Sequence, residues 1–140
     1  MDETTFKINF ITAHLIKINF GQLEIFGSDL TDIPITWLQS IYFSIKNNLP
    51  FCIEFDDENI RNSIFSSVEE TILYKPYSYF YKLTIGNKEF TYLLYREMKQ
   101  YQNNWYNWYS KIINDPKDKI NKINQLFNSI EALLLLKKLK

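Results

Sequence analysis

Four carboxylates, Glu54, Asp56, Asp57 and Glu58, fall within five consecutive positions, followed shortly by Glu69 and Glu70. Acidic groups this dense suit three kinds of chemistry: holding a divalent cation, moving protons, or meeting a cationic surface. Cation loops space their oxygens at regular offsets around a glycine, whereas this run is contiguous and has no glycine. Proton transfer needs a particular pair set apart, and none of the sixteen Asp and Glu is set apart by its spacing. The cationic surface remains, which makes Glu54, Asp56, Asp57 and Glu58 candidate partner-binding residues with no metal implied.

The other reactive side chains are sparse. His14 is the only histidine and has no nucleophile at a recognisable spacing, so it reads as a strand or surface residue. The one cysteine, Cys52, sits in the apolar run Phe51-Cys52-Ile53, where a buried, inert thiol is expected. No glycine-rich phosphate loop, nucleophile elbow, zinc-protease helix or paired-cysteine motif is present. These readings make the chain a binding protein rather than an enzyme, without catalytic residues or cofactor. Tyrosines concentrate in Tyr74-Lys75-Pro76-Tyr77-Ser78-Tyr79-Phe80-Tyr81. Exposed tyrosine brings large area with few rotatable bonds, so Tyr77 and Tyr79 join the candidate partner-binding set.

Charge is polarised along the chain. Residues 1–70 carry eleven Asp/Glu against four Lys/Arg, and residues 71–140 carry five against twelve, giving zero overall. The lysines are scattered, arginines number two, and the isoelectric point is about 6.6, which argues against nucleic acid. No apolar run approaches the roughly 20 residues needed to span a bilayer. The acidic start Met1-Asp2-Glu3 is the reverse of a secretory leader, and a cytoplasmic protein is expected. Nineteen Ile against one Val, fourteen Lys against two Arg, and fourteen Asn are what a low-GC genome produces.

The elements that must position these residues are legible in hydrophobic period. With 140 residues and 46% hydrophobic content, one globular domain spanning 1–140 is expected. Phe6, Ile8 and Phe10, then Ile16, Ile18 and Phe20, alternate with Lys7, Asn9, Lys17 and Asn19, the period of half-buried antiparallel strands. Gly21-Gln22 allows a turn into Leu23-Glu24-Ile25. Asp32 as cap and Pro34 in the first turn start a helix over 33–47, with Ile35, Leu38, Ile41 and Ile45 on one face. Residues 51–55 read as a strand running into an acidic loop, and 59–68 as either a short helix or a strand. Residues 71–74 and 79–85 have β composition, and Gly86-Asn87 signals a hairpin returning through Lys88-Glu89-Phe90.

After that the period changes. Leu94, Met98, Tyr101, Trp105, Trp108 and Ile112 form one stripe of a long helix, with Tyr106 turned outward. Asp115-Pro116 then opens a last helix carrying Ile120, Ile123, Phe127, Ile130 and Leu134. The class is α+β: a mainly antiparallel sheet of four to six strands, covered by the first helix and a C-terminal antiparallel helix pair. Trp37, Ile41, Phe51, Ile53, Met98, Trp105, Trp108, Phe127 and Leu134 should be buried.

This build resembles small bacterial immunity proteins of polymorphic-toxin and contact-dependent inhibition systems. The likeness lies in strands around Gly-Gln-Leu-Glu-Ile-Phe-Gly-Ser-Asp-Leu, a Trp37-bearing amphipathic helix, an acidic loop, then a hairpin and aromatic-rich helices. It implies a cytosolic protein that neutralises a cognate toxin through protein–protein contact. Against a nuclease toxin, Glu54, Asp56, Asp57 and Glu58 would mimic phosphate charge. The alternative is a self-associating structural or regulatory subunit, a homodimer joined through its oppositely charged halves. In an isolated acidic loop, neutralising Asp56, Asp57 and Glu58 together should leave the fold intact or slightly steadier.

Overall fold

The computed structural model describes residues 6–57, 60–76, 81–110 and 115–138. Glu58, Tyr77 and Tyr79 lie outside the described residues, as does Ile112. The α+β class and the antiparallel pairing stand as expected, with the strands divided between two sheets. The first is the meander β1 (Phe6–Thr12), β2 (Leu15–Phe20) and β3 (Leu23–Ser28). Its register pairs Phe6 with Phe20 and Ile8 with Ile18, so the apolar alternation lands on one face. The turn after β2 uses Gly21 at φ 63°, the left-handed position a two-residue hairpin demands.

Helix α1 (Ile33–Asn47) has the predicted bounds, with Pro34 in its first turn. It ends at Asn48, whose φ of 55° lets the chain reverse and whose N–H donates to Ser44 O. Asp32 does not cap through its side chain. Its carboxylate is drawn away by Tyr109 Oη and by Lys119 Nζ at 3.4 Å, tying the helix start to the C-terminal half.

The second sheet runs β4 (Phe51–Asp57), β5 (Ile60–Ser66), β6 (Thr71–Tyr74) and β7 (Tyr81–Leu83) in chain order. The ambiguous 59–68 segment thus supplies a strand, paired across Ile53–Ile64 and Asp56–Arg61. Edge strand β4 is covered by α1, where Trp37 Nε1 donates to Glu54 O at 3.0 Å.

The Gly86-Asn87 signal has another cause than a hairpin. Gly86 is the residue before α2 (Asn87–Gln100), and Lys88-Glu89-Phe90 is helical. Here glycine serves close approach: a Cβ at Gly86 would lie 2.0 Å from Val68 O. Asn87 N–H donates to Ser67 O at 2.7 Å across the same junction.

The long helix expected through 112 breaks at Tyr101, followed by a short helix α3 (Gln102–Trp105) and a 3-10 turn over Tyr106–Tyr109. Asn103 and Asn104 are weak helix formers, and the break has a reward. It turns both tryptophans inward, so that Trp105 Nε1 reaches Met98 O and Trp108 Nε1 reaches Thr31 O, each at 3.0 Å. The same bend packs Tyr106 partly inward, its hydroxyl donating to Asn124 Oδ1 at 2.6 Å.

Helix α4 (Lys117–Lys138) follows, its first N–H taken by Asp115 at 3.2 Å. It packs chiefly on α1 rather than on a sheet, and meets α2 through Tyr95 against Phe127. The buried side chains form one hydrophobic cluster shared by both sheets and the helices. All nine expected core residues are buried except Leu134, which is half-buried.

Candidate functional site

Period two places Cys52, Glu54 and Asp56 on the outward face of β4, because Phe51, Ile53 and Phe55 take the core. The ladders extend that face across the sheet. Cys52 stands opposite Phe65, Phe65 opposite Ile72, and Ile72 opposite Lys82. One step along, Glu54 is level with Ser63 and Tyr74, and beyond them Asp56 faces Arg61. The outward face therefore has an acidic end and an apolar, aromatic row. Phe65 is 47% and Tyr74 52% exposed.

The acidic end is ordered strand rather than an acidic loop, and much of its charge is already answered. Arg61 places Nη1 2.8 Å from Glu54 Oε2, and its Nε and Nη2 each 3.2 Å from the two oxygens of Asp56. A guanidinium fork matches a carboxylate in this bidentate way. Thr31 completes the site: its hydroxyl donates to Asp56 Oδ2 at 2.8 Å and accepts the Asp56 N–H, also at 2.8 Å. Ser28 Oγ donates to Asp56 O at 3.2 Å from the end of β3. The Arg61 hydrogen bond, with that of Thr31, holds the Asp56 carboxyl below the usual range despite partial burial.

Asp56 is thus a joint between the two sheets. Neutralising it removes an anchor, so a modest loss of stability is predicted in place of the slight gain expected for an isolated acidic loop. Glu54 and Asp57 are the other described members of the predicted set; Asp57 also has an interaction partner.

Cys52 is exposed, contrary to its apolar sequence setting, because it occupies an outward position of a strand one side of which is buried. Partial burial, then the nearby Glu54, pushes its thiol pKa up, away from nucleophilic thiolate. Cys52, Glu54 and Arg61 border a cleft of about 350 Å3 against Thr36 and Ser40 of α1.

His14 sits in the β1–β2 turn, half-buried. Its Nδ1 lies 3.3 Å from Trp108 O and 3.6 Å from Asp29 Oδ2, and its Nε2 3.2 Å from Ser110 Oγ. This network pins the turn to the 3-10 segment. Among the described residues no group of three or more His, Cys, Asp or Glu is placed to hold a metal ion. Among them, too, no helix is long and apolar enough to cross a membrane.

Sequence reasoning missed Arg61, Phe65 and Thr31 as members of this face. The first two carried a signal: Arg61, Ser63 and Phe65 alternate with Asn62, Ile64 and Ser66, so recognising β5 puts them outward together. Thr31 carried none, since it arrives from a loop 25 residues away. No protein-family model matches the chain, and neither a curated protein nor a solved structure is significantly similar to it, so the geometry of the site alone bears on function.

Proposed function

We propose that the chain is a non-enzymatic binding protein of the immunity type, which occludes a basic surface of a cognate bacterial toxin in the cytoplasm. The observation that carries this reading is the outward face of the second sheet, where Glu54 and Asp56 adjoin exposed Phe65 and Tyr74, with Asp57 next along the same strand end. Such a face supplies both parts of a protein interface. Aromatic anchors contribute affinity once desolvated, and the carboxylates raise the encounter rate with a cationic partner. Arg61 orients Glu54 and Asp56 in advance, so their conformational freedom is already reduced before a partner arrives.

The test is stopped-flow association with the purified product of the neighbouring gene. Asp57→Asn with Glu58→Gln spares the Asp56 joint and should slow association roughly tenfold, within the range of electrostatic steering. Phe65→Ala with Tyr74→Ala should instead speed dissociation, by tenfold or more if each anchor is worth about 1 kcal/mol. A partner that binds both variants with unchanged rates rules this face out.

A further inference from the structure

Helix α2 presents two unlike faces. Phe90, Leu94 and Met98 go into the core, while Tyr92, Arg96 and Lys99 border an open groove of about 720 Å3. The opposite wall is Leu134 and Lys137 of α4. Past Tyr92 the groove continues into a hollow of about 240 Å3 that reaches Lys88 and the end of α1. Its surface is mostly apolar: Tyr92 is 47% exposed, and Leu134, a core residue by sequence period, is half-open here.

The charges around this groove are unequal. Glu97 is committed to the backbone, its Oε1 accepting the Ile8 N–H of edge strand β1 at 3.0 Å. Glu131 is committed to Lys99 Nζ at 3.1 Å and to Tyr95 Oη at 2.9 Å. Lys88, Arg96 and Lys137 form no ion pair among the described residues. Three unanswered cations therefore flank an apolar channel.

We infer that this groove seats an acidic amphipathic helix of a protein partner. The placement of the cations selects the occupant. Lys88 and Arg96 are eight positions apart on α2, about 12 Å along its axis, with Lys137 facing them from α4. An anionic lipid or fatty acid carries its charge on one headgroup and calls for cations at one mouth. A helix with apolar residues at three- and four-residue spacing and carboxylates on its flanks meets cations at every turn. No residue of the groove belongs to the acidic sheet face, so the molecule offers two surfaces of opposite polarity.

The probe is a fluorescein-labelled synthetic helix of about 16 residues, with leucines along one face and glutamates on both flanks. Its binding to the full chain is followed by anisotropy, beside a control peptide carrying lysine for every glutamate. The acidic peptide should bind saturably and the basic one should not. Arg96→Glu with Lys137→Glu should weaken the acidic peptide by tenfold or more, as should a salt increase that screens the flanks. Both side chains border the groove without pairing, so an unchanged melting transition checks that the variant is folded. No saturable binding, equal binding of the two peptides, or displacement of the peptide by equimolar dodecanoate overturns the inference. So does a salt-sensitive dimer of the chain that buries Arg96 in place of the peptide.

Discussion

The outward face of the second sheet and the groove between α2 and α4 invert what their sequences suggest. The sheet face holds the densest acidic run of the chain, yet Arg61 answers Glu54 and Asp56, and Thr31 ties Asp56 to the loop that leaves the first sheet. The groove draws on scattered basic residues, yet Lys88, Arg96 and Lys137 go unpaired among the described residues, because the nearby carboxylates are spent on a strand edge, a tyrosine and Lys99. Local charge density is thus a poor guide to available charge. What decides is whether an opposite group lies across a ladder or one helical turn away, and whether the geometry lets it fork.

The hardest test of treating the two regions as separate is to break the joint between them. Gly86 links β7 to α2, and an added Cβ would meet Val68 O at 2.0 Å, inside any tolerable contact. Because the obstacle is backbone, relief requires moving the chain that carries Asn87 against Ser67. Gly86→Ala should therefore destabilise by about 3 kcal/mol or more, read from urea denaturation. If the sheet and the groove unfold independently, that loss will appear in one probe only. One shared core predicts a single transition by both tryptophan fluorescence and far-UV signal.

Acid and alkali should act on different groups of the two halves, by a smaller amount. The Asp56 carboxyl is depressed, first by its hydrogen bond to Arg61. Its stabilisation is therefore present above the unfolded carboxyl value of about 4 and lost as pH falls through that value and below. Glu131 is depressed by Tyr95 and then Lys99, and adds to the same acid loss. Tyr109 and Tyr95 behave oppositely. Burial first, then hydrogen bonds to Asp32 and Glu131 respectively, raises both phenols well above their usual range. Their stabilisation is complete below the unfolded phenol value of about 10 and lost as pH rises beyond it. Tyr109→Phe should remove part of the alkaline loss and leave the acid limb unchanged. Equal flattening of both limbs in a pH series of melting temperatures would refute the assignment.

Much of this was legible in residue order, for identifiable reasons. Helix α1 has the bounds its Pro34 and apolar spacing imply, and the first meander follows its alternation. Period failed where an element's end was set by a distant contact. Trp105 and Trp108 keep a helical stripe through a broken helix, since Trp105 is drawn to Met98 O near the end of α2 and Trp108 to Thr31 O in the loop before α1. Gly86-Asn87 has the composition of a turn but is glycine for the sake of Val68, eighteen positions earlier. Cys52 was read from its neighbours Phe51 and Ile53, although a strand sends neighbours to opposite faces. The acidic members of the candidate site were visible as a run. Their neutralising partners were not, because Arg61 comes by cross-strand register and Thr31 from a loop.

The smallest effect bears most directly on the contrast in available charge. If Asp56 is a joint, Asp56→Asn loses bidentate pairing and a charged acceptor for Thr31, while solvent screens the exposed guanidinium. The expected cost is about 1 kcal/mol. Thr31→Val should lose about as much, since it leaves the Asp56 N–H without the hydroxyl that accepts it at 2.8 Å. Applied together, the two changes should cost less than their sum, because they remove one shared network. In the groove, Arg96→Gln with Lys137→Gln removes charges that no ion pair among the described residues answers. Mutual repulsion along an open channel is offset by the favourable place of Lys137 at the C-terminal end of the α4 dipole, so stability should move by no more than about 0.5 kcal/mol in either direction. The ordering of these costs is the measurement. Were neutralising the cations as damaging as neutralising Asp56, the groove cations would be internally paired as Asp56 is, and the inferred helix would lose its cationic contacts.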